Sequence, residues 1–135
     1  MELSNGICSL NAGEDRLSMC AEMEIDANGS VIKYDIFPTV IHVYRRLTYK
    51  LVNRILVEKD TQMIEDNQDI LPLLHNLEVV YKVLNKRRQI RGAIDFDIPE
   101  VKVKLNAKGQ AVGLVKREHG LGESIIEECM LVANE

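Results

Sequence analysis

The chain has 135 residues, of which 46% are hydrophobic and 28% are charged, and its formal net charge is −4. This length fits one domain, and the composition is that of an ordinary globular protein rather than a disordered or fibrous one. The slightly acidic balance gives no overall positive field, which argues against a domain that binds nucleic acid by charge alone. It does not argue against a segment whose basic channel is completed by other parts of a protein.

The cysteine spacing argues against a zinc-binding protein, and the short apolar runs argue against a membrane-spanning one. Cys8, Cys20 and Cys129 are odd in number and widely separated, and the sequence contains neither a Cys-x-x-Cys pair nor a zinc pattern. Reduced thiols of a cytosolic protein are therefore expected. The N-terminal residues lack the order of a signal peptide, and no apolar run approaches the ~20 residues that span a bilayer. We expect a cytoplasmic protein without a membrane partner.

The first part of the chain predicts a β-hairpin. Residues 1–17 are rich in Ser, Asn and Gly and favour a loop. Residues 19–25 alternate between apolar and acidic side chains, which is the period of a strand. Residues 26–29 (DANG) predict a turn, because Asn and Gly tolerate positive φ. A second strand is expected over residues 31–43, with Pro38 at an edge or a bulge.

The middle of the chain predicts two helices. Thr48 is a candidate N-cap for the first, since its hydroxyl can accept from an unpaired N–H of the first turn. Residues 59–67 are polar and predict a loop, after which Asp69 can cap a longer helix with Pro72 in its first turn. The expected apolar positions of the first helix are Leu51, Val52, Ile55 and Leu56, and those of the second are Ile70, Leu73, Leu74, Leu77, Val80, Tyr81 and Leu84.

The last part predicts a second hairpin and a third helix. Residues 93–98 favour an extended run, and residues 101–105 and 111–115 favour strands joined by a turn over 106–109. A helix is expected from about Gly122 to the end. The predicted class is α+β: two antiparallel β-hairpins forming a sheet, packed with about three helices. Residues 1–135 are expected to form a single partial domain, because the last helix stops without a capping glycine.

Two pairs of acidic residues are the first candidates for chemistry. Glu127 with Glu128, and Asp95 with Asp97, could bind Mg²⁺ or act as acid and base. Two carboxylates are too few to hold a catalytic metal ion alone. A solvated helix face or a strand edge is the favoured explanation of each pair.

Basic and aromatic residues are the second set of candidates. Lys86, Arg87, Arg88 and Arg91 could contact phosphates, as could the Arg45–Arg46 pair, although basic residues at a helix end also compensate the helix dipole. Phe96 is either an ordinary inward-facing strand residue or a platform on which a base stacks. Tyr49 either packs or directs its hydroxyl at a ribose 2′-OH, a contact that distinguishes RNA from DNA.

Six sequence blocks together resemble the catalytic domain of the ribonuclease R and ribonuclease II family, known as the RNB domain, and the bacterial ribonuclease R branch is the better match. They occur in the family's order and cover essentially the whole chain. The blocks are residues 8–19 (CSLNAGEDRLSM), 20–26 (CAEMEID), 34–41 (YDIFPTVI), 46–49 (RLTY), 91–100 (RGAIDFDIPE) and 124–135 (SIIEECMLVANE). Residues 119–124 (HGLGES) depart from the family, since some members carry an Asp-Ala-His-Arg sequence there.

The resemblance implies roles for three residues. Phe96 matches an aromatic residue that stacks on the 3′-terminal bases, and Tyr49 matches a tyrosine that contributes to product length and sugar discrimination. Glu127 matches a glutamate that contacts a ribose, whereas Glu128 and Asp97 keep a structural interpretation. Arg46, Arg87, Arg88 and Arg91 remain possible phosphate contacts.

The resemblance also implies what this chain does not supply. The family hydrolyses single-stranded RNA from its 3′ end with two Mg²⁺ ions held by an aspartate-rich motif, which nothing in this sequence matches. We therefore expect an internal segment without catalytic or metal-binding residues, with Mg²⁺ bound by the parent enzyme and none by this chain. Its expected partners are single-stranded RNA, the remainder of the catalytic domain and flanking OB-type domains. The alternatives are a stand-alone, non-catalytic RNA-binding or regulatory module, and a piece that self-associates through apolar surfaces.

Overall fold

The predicted hairpins and helices occur in the expected order, with one additional short helix after the first predicted helix. The computed structural model of the protein describes residues 3–93, 101–116 and 119–135. After a π-helical turn at Leu3–Ile7, the elements are β1 (Asp15–Ile25), β2 (Val31–His42), α1 (Tyr49–Leu56), α2 (Thr61–Glu65), α3 (Leu71–Ile90), β3 (Val101–Leu105), β4 (Ala111–Lys116) and α4 (Leu121–Asn134). The α+β class is confirmed.

The strands form two separate antiparallel sheets in the described part of the chain, β1 with β2 and β3 with β4. The prediction of one sheet was therefore wrong. Alternation of side chains identifies strands, but it does not specify which outer edges will join. The strand β1 is also longer than predicted, since it begins at Asp15 and pairs this residue with His42.

Both hairpin turns are built in the same way. The side chain of Asp26 accepts from the N–H groups of Asn28 (2.9 Å) and Ser30 (2.8 Å), and that of Asn106 accepts from Lys108 (2.9 Å) and Gln110 (3.0 Å). A glycine with positive φ closes each turn, as the Asp/Asn-x-x-Gly pattern predicts. These are Gly29 at 82° and Gly109 at 75°.

The helix α1 begins where the sequence predicts. Thr48 is its N-cap, and its hydroxyl accepts from the N–H of Leu51 at 3.3 Å. Val52, Ile55 and Leu56 are buried, which confirms most of the predicted apolar face.

Thr48→Ala is expected to lower the free energy of unfolding by about 1 kcal/mol, because an N–H of the first turn loses its acceptor. Thr48→Ser keeps a hydroxyl at the same place and serves as the matched control. Urea unfolding followed by far-UV circular dichroism measures both variants. Equal destabilisation by the two substitutions would contradict a capping role for the hydroxyl.

The second helical region differs from the prediction. The helix α2 lies within the expected loop, and its N-cap is Asp60, whose side chain accepts from the N–H of Met63 at 3.2 Å. Asp69 does not cap α3. The N-cap of α3 is Ile70, and the carboxylate of Asp69 instead accepts from Tyr44 Oη at 3.0 Å and from Arg45. Both aspartates carry the same local signal, and tertiary contacts decide which one caps a helix.

The core lies between the helices. Its buried residues come from α1, the start of α3 and α4, and they are Val52, Ile55, Leu56, Ile70, Leu74 and Ile125. The hairpin β1–β2 contributes little to this core. Leu17 pairs with Val40, and Met19 pairs with Pro38, on an apolar face that stays exposed. No helix in the described residues has the length and apolar composition needed to cross a bilayer.

Candidate nucleic-acid interface

Tyr49, a predicted RNA contact, is the first residue of α1, and 42% of its surface is exposed. The start of α4 lies against the same turn of α1. A Cβ atom built on Gly122 would lie 3.4 Å from the carbonyl oxygen of Tyr49 and 3.4 Å from Cβ of Val52. The first turns of α1 and α4 are thus in van der Waals contact, and Tyr49 lies at the edge of this junction.

Asn53 joins the two helices by hydrogen bonds. Its Oδ1 accepts from the N–H of Gly122 at 2.7 Å, and its Nδ2 donates to Oε2 of Glu123 at 3.1 Å. The same Oε2 accepts from the N–H of Gly120 at 3.2 Å. Two N–H groups at the start of α4 thereby gain an acceptor. The N–H of Gly122 donates to Asn53 of α1, and the N–H of Gly120 donates to Glu123, the third residue of α4.

The pKa of Glu123 reflects this arrangement. Burial acts to raise the pKa of Glu123, but hydrogen bonds from Asn53 and the backbone outweigh burial, so the pKa lies below its ordinary value. A carboxyl group whose pKa is lower in the folded state stabilises the fold above its unfolded pKa. This contribution is lost as pH falls through the folded value.

Glu123→Gln is expected to reduce the loss of stability in acid, because glutamine does not titrate. The stability of the unaltered chain falls as pH decreases below about 4.5, the ordinary value for this carboxyl group, and that of the variant should fall less steeply. Thermal unfolding between pH 6 and pH 3, compared with the exposed-site control Glu22→Gln, measures the difference. An unchanged slope would show that Glu123 is not stabilised in its charged form.

The two adjacent glutamates of α4 have opposite environments. Glu127 is exposed, and its Oε2 lies 3.4 Å from Nε2 of His119. Glu128 is only 3% exposed, and its Oε1 accepts from Nε of Arg88 at 2.7 Å and from Nδ2 of Asn85 at 3.0 Å. Glu128 therefore makes structural contacts, but it is buried and does not lie on the solvated helix face that the sequence predicts. The exposure of Glu127 leaves its carboxylate accessible, while its ribose contact stays a prediction.

The basic residues at the end of α3 contact acceptors within the chain. Arg87 donates to the carbonyl oxygen of Gly29, Arg88 pairs with Glu128, and both terminal nitrogens of Arg91 donate to the carboxylate of Glu135. These side chains line a cavity of about 140 Å³ together with Leu84 and Leu131. Their intramolecular bonds are compatible with the helix-end interpretation, and their phosphate contacts stay a prediction.

Of the remaining candidates, the structure describes Arg46 but not Phe96. Arg46 lies in the segment between β2 and α1, two residues before the N-cap of α1, and is exposed. It has no hydrogen bond or ion pair with another residue in the described ranges. Phe96, Asp95 and Asp97 lie outside the described residues. The structure therefore brings Tyr49 and Glu127 onto two helices that pack together, and it places the arginines of α3 in a separate group.

The donor set of the described chain does not fit a magnesium site. Within residues 3–93, 101–116 and 119–135, no three His, Cys, Asp or Glu side chains lie close enough together to hold a metal ion. Catalytic magnesium needs carboxylates that converge on one point. No step of metal chemistry is therefore assigned to these residues.

The comparison with known proteins defines the family. The RNB domain model matches residues 1–135, so the chain belongs to the RNB domain family. Ribonuclease R of Thermotoga maritima is 44% identical over 134 residues, a match that covers 98% of this chain and 19% of that protein. Ribonuclease R of Escherichia coli is 37% identical over 132 residues, covering 98% of this chain and 16% of that protein.

Solved structures agree with this assignment. Ribonuclease R of Mycoplasma genitalium, in complex with ribose-methylated single-stranded RNA, matches with a TM-score of 0.84 at 27% identity. The match covers 99% of this chain and 20% of that one. The same enzyme in complex with double-stranded RNA gives the same TM-score and identity. The chain thus spans about a fifth of the length of the relatives that it matches.

Proposed function

We propose that this chain acts as a segment of the catalytic domain of a processive, hydrolytic 3′→5′ exoribonuclease that releases nucleoside 5′-monophosphates. The observation that carries the proposal is the structural likeness, over 99% of the chain, to a ribonuclease R bound to single-stranded RNA. The segment supplies contacts to the RNA, and the chemistry is supplied by other parts of the enzyme.

Two exposed side chains on packed helices support a ribose-binding role. Tyr49 offers a phenol hydroxyl, and Glu127 offers a carboxylate that can accept from a 2′-OH. Phe96 would stack on a terminal base, a contact worth roughly 1–3 kcal/mol that tolerates any base. Arg46 is exposed and suits a phosphate contact, since a surface guanidinium that pairs with none of the other described residues loses little on binding an anion.

The metal chemistry belongs to residues outside this set. We propose that the parent enzyme holds two Mg²⁺ ions that activate water and stabilise the leaving oxygen, and that this chain alone is inactive. We also place the parent in the cytoplasm, with OB-type domains flanking the catalytic domain.

An exchange of segments tests the proposal. The matched segment of Thermotoga maritima ribonuclease R would be replaced by this chain, and degradation of 5′-labelled single-stranded RNA would be followed with Mg²⁺. The chimera is expected to release 5′-monophosphates from the 3′ end, and Glu127→Gln in the chimera is expected to slow release from an RNA end more than from a 2′-deoxy end. The unmodified Thermotoga enzyme is the reference.

Two results would overturn parts of the proposal. A chimera that folds and binds RNA but releases no nucleotide would contradict the exoribonuclease assignment. Mg²⁺-dependent nucleotide release by the rigorously purified chain alone would contradict its inactivity.

A further inference from the structure

We propose that Asn53 is a positioning residue that fixes Tyr49 and Glu127 relative to each other, and thereby sets the preference for ribose over deoxyribose at the 3′ end. The inference rests on the proposed function, which makes these two side chains ribose contacts. Asn53 itself has no contact role in that proposal. It lies on α1 and acts on α4 through hydrogen bonds.

The junction joins Asn53 of α1 to Gly122 of α4, and each of these residues lies a short way along its helix from one of the two candidate contacts. Asn53 lies four residues after Tyr49, one turn further along the same face of α1. Its amide reaches Gly122, 69 residues away in sequence, with an oxygen-to-nitrogen distance of 2.7 Å. Glu127 follows Gly122 by five residues on the same helix, a rise of about 7.5 Å. Both contacts therefore lie within one or two helical turns of the Asn53 amide.

Two glycines make room for this amide. A Cβ atom on Gly120 would lie 2.7 Å from Cγ and 2.9 Å from Oδ1 of Asn53, closer than real Cβ atoms approach. A Cβ atom on Gly122 would lie 3.3 Å from the same Oδ1. The φ of Gly120 is −105°, which any residue adopts. Glycine is therefore needed here because a Cβ atom would overlap Asn53, and not because of the backbone conformation. Residues 119–124, which depart from the sequence of some family members, thus leave room for the side chain of Asn53.

The consequence for recognition follows from the rigidity of helices. Under the proposed function, Tyr49 and Glu127 act together on a ribose only if α1 and α4 keep one relative position, because a misplacement of about 1 Å removes much of the benefit of an aligned contact. Loss of the Asn53 amide removes both side-chain hydrogen bonds of the junction and leaves a space between the two glycines and α1. The start of α4 is then held on α1 by apolar packing without a directional hydrogen bond, and the ribose contact weakens as the position of the helix becomes less fixed.

The test is an NMR titration of the 135-residue chain, because NMR detects weak binding and reports each amide. Two single-stranded oligonucleotides that differ only in the 2′-OH groups of their 3′-terminal nucleotides serve as probes. The unaltered chain is expected to bind the ribose form about tenfold more tightly, the size of one hydrogen bond to a charged group. Asn53→Ala should bring this ratio close to one, as should Glu127→Gln, while Asn76→Ala, at an exposed site on α3, should leave the ratio unchanged.

A paired substitution separates positioning from stability. Asn53→Asp with Glu123→Gln exchanges donor and acceptor between the two side chains, so that the oxygen for Gly122 and the bond between the helices are both restored, while the N–H of Gly120 loses its acceptor. This double variant should recover the ratio. The ratio does not depend on the fraction of folded protein, because that fraction affects both oligonucleotides equally, so a variant that is only less stable would not alter it.

Hydrogen exchange of the Gly122 amide distinguishes the possible failures. Rapid exchange in Asn53→Ala with an unchanged ratio would show a merely structural junction and overturn the inference, leaving the proposed function intact. Protection of Gly122 in that variant would show that Asn53 does not make the junction, which also overturns the inference alone. Equal binding of both oligonucleotides by the unaltered chain would overturn the ribose contacts of the proposed function, and the inference with them.

Discussion

Replacement of Arg88 by methionine is expected to lower the free energy of unfolding by roughly 3–5 kcal/mol, the cost of breaking a buried ion pair from one side. Glu128 is 3% exposed and accepts from Arg88 at 2.7 Å and from Asn85 at 3.0 Å. After the substitution, the neutral amide of Asn85 is the one partner that this largely buried carboxylate keeps among the described residues. A loss of this size is a large part of the 5–15 kcal/mol that stabilise a typical domain.

Urea unfolding followed by far-UV circular dichroism measures the effect, since the chain contains no Trp for fluorescence. Lys82→Met is the matched control, because it breaks an i,i+4 pair with Glu78 on the same helix at a site where Lys82 is exposed. Its cost should be below about 0.5 kcal/mol. Exchange of both Arg88 and Glu128 for methionine should recover part of the loss, because no charge is then left buried. A loss below 1 kcal/mol for Arg88→Met alone would contradict the burial of an ion pair.

Signals confined to a few neighbouring residues could be predicted from the sequence. The hydroxyl of Thr48 caps α1, and the aspartate or asparagine and the glycine of each hairpin turn form the expected bonds. These structures depend on hydrogen bonds over two to four residues, so the sequence alone contains the information. An aspartate near the start of a helix was an ambiguous signal for an N-cap. Asp60 does cap a helix, whereas Asp69 pairs with Arg45, 24 residues away.

The arrangement of the site could not be predicted in this way. The bond from Gly122 to Asn53 spans 69 residues, and the pair of Arg88 with Glu128 spans 40. No periodicity or spacing in the sequence relates such positions. Tyr49 and Glu127 became candidates only through the resemblance to a family, and the resemblance did not indicate which residue holds their helices together. The sequence did contain one feature of this contact: Gly120 and Gly122, which leave room for a neighbouring side chain at the start of α4.

Gly29→Ala is expected to destabilise the chain much more than Gly109→Ala, although the two glycines close similar turns. Their φ angles are 82° and 75°, so alanine pays a similar conformational cost of about 1–2 kcal/mol at either site. A Cβ atom on Gly29 would also lie 3.1 Å from Cβ of Arg87 and 3.1 Å from the carbonyl oxygen of Val83, whereas no atom lies within 4 Å of a Cβ atom on Gly109. Overpacking adds about 1–3 kcal/mol at Gly29 alone.

The difference between these two variants isolates the packing of the β1–β2 turn on α3. Urea unfolding gives the two losses, and the excess for Gly29→Ala should exceed about 1 kcal/mol. Because the carbonyl oxygen of Gly29 also accepts from Arg87, a turn lifted off α3 should speed the hydrogen exchange of the Gly29 and Ser30 amides. Equal losses of unfolding free energy in the two variants would mean that the turn moves away from α3 at no cost in stability. The hairpin would then be attached to the helices elsewhere. An excess confined to Gly29 would instead make this turn the contact through which the hairpin and α3 stabilise each other.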